Sequence, residues 1–233
     1  TYGEDAPSNI HPMIRDAEAC YLSSSKAVEL AKEYGSRFHV LHLTTEKELE
    51  LFEPGDLADK HITSEVCVHH LTYCNEDYET YGNGIKCNPA IKKATDREAL
   101  WKALLEDRID VIATDHAPHT ADEKAQNYWN APSGLPLIQH TLSMMLQFYH
   151  KGRISLEKIT EKMCHAPARM FHIADRGFIR EGYKADLILV DAERPWLVQK
   201  ENLLYRCEWS NLEGHQLTGR VMKTWVNGDL VYN

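Results

Sequence analysis

Residues 110–119 read Asp-Val-Ile-Ala-Thr-Asp-His-Ala-Pro-His. A short β-branched apolar run ends abruptly in Asp115, His116 and His119. A carboxylate and imidazoles delivered at the carboxyl end of a strand can hold a divalent metal and move protons, since both are zinc ligands and both act as general acids and bases. Thirteen histidines make further ligands easy to over-read. His39 and His42 lie on the apolar run Phe38-His-Val-Leu-His-Leu43, and their spacing predicts side chains on opposite faces, so that at most one faces a barrel interior. His42, nearer the carboxyl end, is the better ligand candidate; a hydrogen-bonded core histidine is its alternative. His69 and His70 are expected on a strand, again with one side chain inward, and a structural role is the simpler reading. For Asp115 the alternatives are a helix N-cap or a loop ion pair. His140, His150, His165, His172 and His215 read as ordinary helical or surface residues.

The elements around these residues alternate. Apolar positions at 17, 20, 21, 27, 28 and 31 predict a helix from Ala17 to Tyr34 that Gly35 stops. A buried strand follows from Phe38 to Leu43. Thr45 and Glu48 have the form of a capping box opening a helix to about Phe52, ended by Pro54-Gly55. Ile62–Leu71 is the next apolar run, and Pro89 forbids a continuing central strand after Ile85. Thr95 and Glu98 repeat the capping signature before a helix to Glu106 and a strand from Asp110 to Thr114. This strand-helix order marks a mainly parallel sheet with crossover helices, the arrangement in which (β/α) barrels carry chemistry at strand carboxyl ends. A long polar loop after His119 reads as a lid or binding loop. Helices are expected at Leu137–Tyr149 and Leu156–Met163, the second capped by Ser155. Beyond Gly177 the pattern turns to strands, at Ala185–Asp191 and in a hairpin through Asn227-Gly228-Asp229.

The chain has 233 residues, 43% hydrophobic and 26% charged, which suits a globular protein with a sizeable core. A formal charge of −9 without a lysine/arginine block gives no electrostatic footprint for nucleic acid or an anionic membrane. No apolar run approaches a membrane span and the amino terminus lacks signal-peptide regions, so a soluble cytoplasmic protein is expected. Six cysteines without a Cys-x-x-Cys pair argue against a thiolate zinc site or a disulfide framework and read as reduced, mostly buried structural thiols.

His39-Val-Leu-His-Leu-Thr-Thr45, Lys86-Cys-Asn-Pro89, Ala113-Thr-Asp-His-Ala-Pro-His119 with Asp122-Glu-Lys124, and Gly182-Tyr-Lys-Ala-Asp-Leu187 together resemble the dihydroorotases of the amidohydrolase superfamily. The Thr-Asp-His-Ala-Pro-His string is the specific part; Ala-Asp-Leu is shared more widely. The resemblance implies an α/β chain holding about strands six to eight of a (β/α)8 barrel in residues 1–176 and the carboxyl-terminal strands of a small β-sandwich in 177–233. It implies His42 as a zinc ligand at the end of strand six, and Asp115 as ligand and catalytic proton carrier at the end of strand eight. Asn88 and His119 would bind the substrate, with backbone around Ser133 and Gly134 lining its other edge. One or two zinc ions would serve each complete site, in the interconversion of dihydroorotate and N-carbamoyl-aspartate in pyrimidine synthesis. The family's His-x-His pair, its bridging carboxylate or carboxylated lysine and its fifth-strand histidine have no counterpart here. A whole barrel takes roughly 250 residues, so the chain is expected to be the carboxyl-terminal half of the enzyme, inactive and unable to fold by itself. Other readings are an allantoinase- or dihydropyrimidinase-like cyclic amidase, or a non-catalytic scaffold subunit for a partner such as aspartate transcarbamoylase. Homo-oligomerisation stays open.

Overall fold

Asp16 accepts a hydrogen bond from the Ala19 amide at 2.8 Å and so caps α2 (Ala17–Glu33), which follows the single turn α1 (His11–Ile14). Gly35, at φ 61°, takes the left-handed conformation that ends α2, as its position predicts. The structure, a computed structural model, describes residues 2–233. They fall into two compact units, one of residues up to Gln139 with Lys200–Asn211, the other of His140–Gln199 with Leu212–Asn233. The helices between 140 and 176 cluster with the carboxyl-terminal sheet.

In the first unit β1 (Phe38–Val40), β2 (Ile62–Cys67) and β3 (Val111–Ala113) form a parallel sheet in that order. Phe38 lies opposite Ile62, and Glu65 opposite Val111. After β2 come α3 (Val68–Thr72), α4 (Tyr78–Tyr81) and the crossover helix α5 (Ala94–Leu105). Trp101 on α5 donates its indole N–H to the Leu71 carbonyl on α3 at 2.9 Å, so one buried aromatic both packs and satisfies the end of α3. Leu43, Val66, Val68, Leu71, Leu104, Ile109 and Ile112 complete a core against which the strands are pinned.

Five expectations are corrected. The 38–43 strand stops at Val40, because His42 turns to φ 55°. The 62–71 run is not one strand: it leaves the sheet at Cys67, and His69 and His70 sit on α3. Residues 120–124 are not loop but α6 (Ala121–Lys124), closed by a capping box between Thr120 and Glu123. The Thr45/Glu48 signature opens only a 3-10 turn, Lys47–Leu51, and the N-cap of α5 is Lys93, whose amide donates to Asp96 at 3.2 Å, rather than Thr95.

In the second unit α7 (Thr141–His150) packs on β5, and α8 (Leu156–Thr160) runs through a π turn into α9 (Ala166–Met170). Ser155 caps α8 as expected. β4 (Leu187–Leu197), β5 (Gln216–Val226) and β6 (Asp229–Tyr232) pair antiparallel, with Asn227 and Gly228 at φ 53° and 92° forming the tight turn the Asn-Gly pair predicts. No helix among the described residues is long and apolar enough to cross a membrane.

Candidate active site

The carboxyl ends of β1, β2 and β3 deliver His42, Cys67 and Asp115 to the same place. His42 and Asp115 both have positive φ, 55° and 45°, an arrangement that costs on the order of 1–3 kcal/mol per residue and persists only where the surroundings impose it. The Leu43 amide rejoins the sheet by donating to the Glu65 carbonyl at 2.9 Å, so His42 is the apex of a pinned bulge. This bulge overturns the expectation of opposite faces: His39 and His42 address one carboxylate. His42 Nδ1 lies 2.9 Å from Glu65 Oε1, and His39 Nε2 lies 3.1 Å from Glu65 Oε2. His39 Nδ1 meets the Thr63 hydroxyl at 2.9 Å.

The other nitrogen of His42, Nε2, faces Asp115 Oδ1 at 3.6 Å. That is too long for a hydrogen bond. It matches the edge of a zinc coordination tetrahedron, roughly 3.3–3.6 Å for bonds of about 2.0–2.2 Å. An imidazole nitrogen and a carboxylate oxygen at that separation therefore fit as two ligands of one zinc ion. Burial opposes an imidazolium at His42, but the Glu65 hydrogen bond and the charges of Asp115 and Glu65 outweigh it and hold its pKa above the ordinary value. Burial would raise Glu65, yet hydrogen bonds from His39 and His42 bring it down to about 2. Burial, reinforced by the Glu65 charge, raises Asp115 despite His42. The two carboxylates thus favour a positive charge on the His42 ring.

Cys67 Sγ lies 3.3 Å from His42 Nδ1, and Cys67, His69 and His70 bring ligand atoms within 4.8 Å of one another. Burial drives the Cys67 thiol well up and brings His69 down to about 3, so this group is held neutral. Among the described residues, neither ring nitrogen of His69 has a hydrogen-bond partner. Both histidines of the pair are buried, with ring centroids 4.1 Å apart, where only one was expected to point inward.

A second wall assembles beside Asp115. Ala117 donates its amide to the Leu135 carbonyl at 3.0 Å, drawing the 133–135 backbone alongside 116–119. Gly134 sits at φ 145°, where an added Cβ would come 2.5 Å from Ala117 Cβ and 3.0 Å from His119 Cδ2. Only glycine lets the two segments approach so closely. The Gly134 amide donates to the Lys86 carbonyl at 2.8 Å, tying this wall to the segment that presents Asn88, which is exposed. The buried Lys124 ammonium donates to the carbonyls of Lys86, Pro132 and Gly134 at 3.2, 3.0 and 2.9 Å and knots the three stretches together. Trp209 donates its indole N–H to the His119 carbonyl at 2.7 Å. The structure therefore brings His42 to Asp115, and His119 to Gly134, while Asn88 joins through Lys86. Sequence reasoning missed Glu65, His39 as its partner, and the Lys124 knot. A charged residue inside the apolar run Ile62–Cys67 was the available signal for Glu65.

The profile of the amidohydrolase family matches residues 17–231. The chain belongs to the amidohydrolase family. The chain is 36% identical over 219 residues to the dihydroorotase of Halobacterium salinarum, covering 94% of the chain and 50% of that relative. It is 34% identical over 200 residues to Multifunctional protein pyr1-3 of Dictyostelium discoideum, covering 85% of the chain and 8% of the relative. Among solved structures, an L-hydantoinase (dihydropyrimidinase) from Arthrobacter aurescens superposes with a TM-score of 0.83 at 29% identity, over 90% of this chain and 48% of that one. The amidohydrolase chain spans about half the length of the dihydroorotase it matches.

Proposed function

We propose that the protein containing this chain interconverts dihydroorotate and N-carbamoyl-aspartate in pyrimidine biosynthesis, as a zinc-dependent cyclic amidohydrolase. The observation that carries the reading is the approach of His42 Nε2 to Asp115 Oδ1, 3.6 Å apart at strand carboxyl ends. The likeness to a dihydroorotase over nearly the whole chain supports the substrate. His42 and Asp115 would hold the metal, and when bound it supplies Lewis acidity and makes water more acidic. Asp115 takes the proton of the attacking water and returns it to the departing ring nitrogen. His119 and Asn88 donate to the substrate's carboxylate and ring, and the backbone at Ser133 and Gly134 borders its opposite edge. These local donors are needed because the product is a dianion in a chain of net charge −9.

Two ligands do not complete a zinc site, which takes at least three from protein. The 233 residues alone are therefore expected to turn over nothing, with the remaining ligands supplied by further chain. Dihydroorotase activity from the purified 233-residue polypeptide, its mass confirmed, would contradict this. The relative named as multifunctional supports a module that works joined to other activities. A second reading, hydrolysis of hydantoin-type rings, draws on the likeness to the Arthrobacter hydantoinase. Steady-state turnover of dihydroorotate, hydantoin and allantoin by the full-length protein, with zinc content measured alongside, decides between them. A dihydroorotate kcat/KM below that of hydantoin sinks the first reading, and a zinc-free protein inert to all three points to a scaffold.

A further inference from the structure

We propose that Glu65, clamped by His39, is a positioning residue that fixes the tautomer and ring orientation of His42 and so aims the Nε2 lone pair at the metal position beside Asp115. The inference rests on the reading that His42 and Asp115 bind that metal. An ionised carboxylate only accepts hydrogen bonds. Two ring nitrogens face the Glu65 oxygens at hydrogen-bond distance and are placed to supply the hydrogens: Nδ1 of His42 at 2.9 Å from Oε1 and Nε2 of His39 at 3.1 Å from Oε2. With its proton on Nδ1, a neutral His42 has its lone pair on Nε2, directed at the Asp115 carboxylate oxygen 3.6 Å away. Two electron-rich atoms at that distance repel unless positive charge, a metal ion or the proton of an imidazolium, lies between them. Glu65 is nearly buried and its two oxygens are each taken by a different histidine, so it cannot rotate without breaking one of these bonds. His39 is in turn oriented by the Thr63 hydroxyl at 2.9 Å, giving a chain Thr63–His39–Glu65–His42–Asp115 across all three strands. Such outer partners of a ligating histidine raise its basicity and fix its orientation.

A competing arrangement uses the same atoms. Cys67 Sγ, Glu65 and His42 Nδ1 could themselves surround an ion. The separation of 2.9 Å between Nδ1 and Oε1 is a hydrogen-bond distance and falls below the roughly 3.3 Å edge of a zinc tetrahedron, which favours the proton there.

The test uses the full-length protein, loaded with Zn2+ or Co2+ and titrated against a chelator. Glu65→Ala is expected to weaken zinc binding about 10- to 100-fold. Glu65→Gln keeps an acceptor for His42 Nδ1–H and should recover part of that loss; Glu65→Leu, similar in bulk but without an acceptor, should not. Nitrogen-15 NMR of the Zn2+-loaded protein should show His42 protonated on Nδ1, and the Co2+ form should lack a thiolate charge-transfer band. Unchanged metal affinity in Glu65→Ala overturns the positioning role, as does equal loss in the Gln and Leu variants. A thiolate band, or an unprotonated Nδ1, assigns the ion to Cys67 and Glu65 and also overturns it. If the parent protein binds neither metal, it is the reading of His42 and Asp115 as ligands that fails.

Discussion

Asp115 sits where three influences meet: burial, the nearby Glu65 charge and the facing imidazole of His42. A carboxylate so placed can accept and return a proton, whereas its amide isostere keeps the shape and loses that capacity. Asp115→Asn in the full-length protein should reduce kcat by about 10²- to 10⁴-fold with an unchanged circular dichroism spectrum. Turnover within a factor of two of the parent would remove Asp115 from the chemistry. At this scale the sequence was a good guide to residue type but not to direction. His42 and Asp115 were legible from their place at strand ends. The shared address of His39 and His42 was not, since a period-two strand forbids it and only the positive φ of His42 permits it.

Elements place these residues by short, specific contacts. The wall formed by 116–119 and 133–135 depends on a glycine whose Cβ would overlap Ala117. Gly134→Ala should destabilise the protein by about 2–4 kcal/mol through combined backbone strain and overpacking, read as a lowered denaturant midpoint at constant m-value. Under the proposed function it should also raise KM, because the displaced segment would border the substrate. A midpoint equal to the parent's would mean the two strands separate freely. The loop after His119 reads as a polar lid or binding loop on composition, yet Lys124 turns inward to three carbonyls. Composition cannot register this, because an inward lysine and a solvated one are the same letter.

Across the whole molecule, stability should depend on pH through histidines buried in each unit. His11, in the first, contacts the Tyr128 hydroxyl and the Cys87 carbonyl, each at 2.8 Å, and burial brings its pKa down to about 4. Burial does the same to His140 in the second, also to about 4. In both cases the unfolded chain takes up a proton near pH 6.5 that the folded chain refuses until about 4, so stability falls as pH drops through that window. Each group contributes up to about 3 kcal/mol to the loss. Urea denaturation at pH 7.5 and pH 4.5 should register the difference, and His140→Phe should show a smaller pH dependence than the parent. Equal slopes in parent and variant would show His140 to be accessible to protons in the folded state.

Local chemistry, read along the chain, determined what kind of molecule this is: alternating strands and helices, a metal-capable carboxylate and imidazole at strand ends, an Asn-Gly hairpin, and motifs that resemble one enzyme family. Those signals survive because period, capping and turn preference act between neighbours. Tertiary structure decided which atoms share a site. Glu65 joins His39 to His42, Lys124 gathers Lys86, Pro132 and Gly134, and the chain returns through Trp209 to His119. Each of these links couples residues from different elements, and a linear pattern carries no term for the dihedral angle or the packing that brings them within bonding distance.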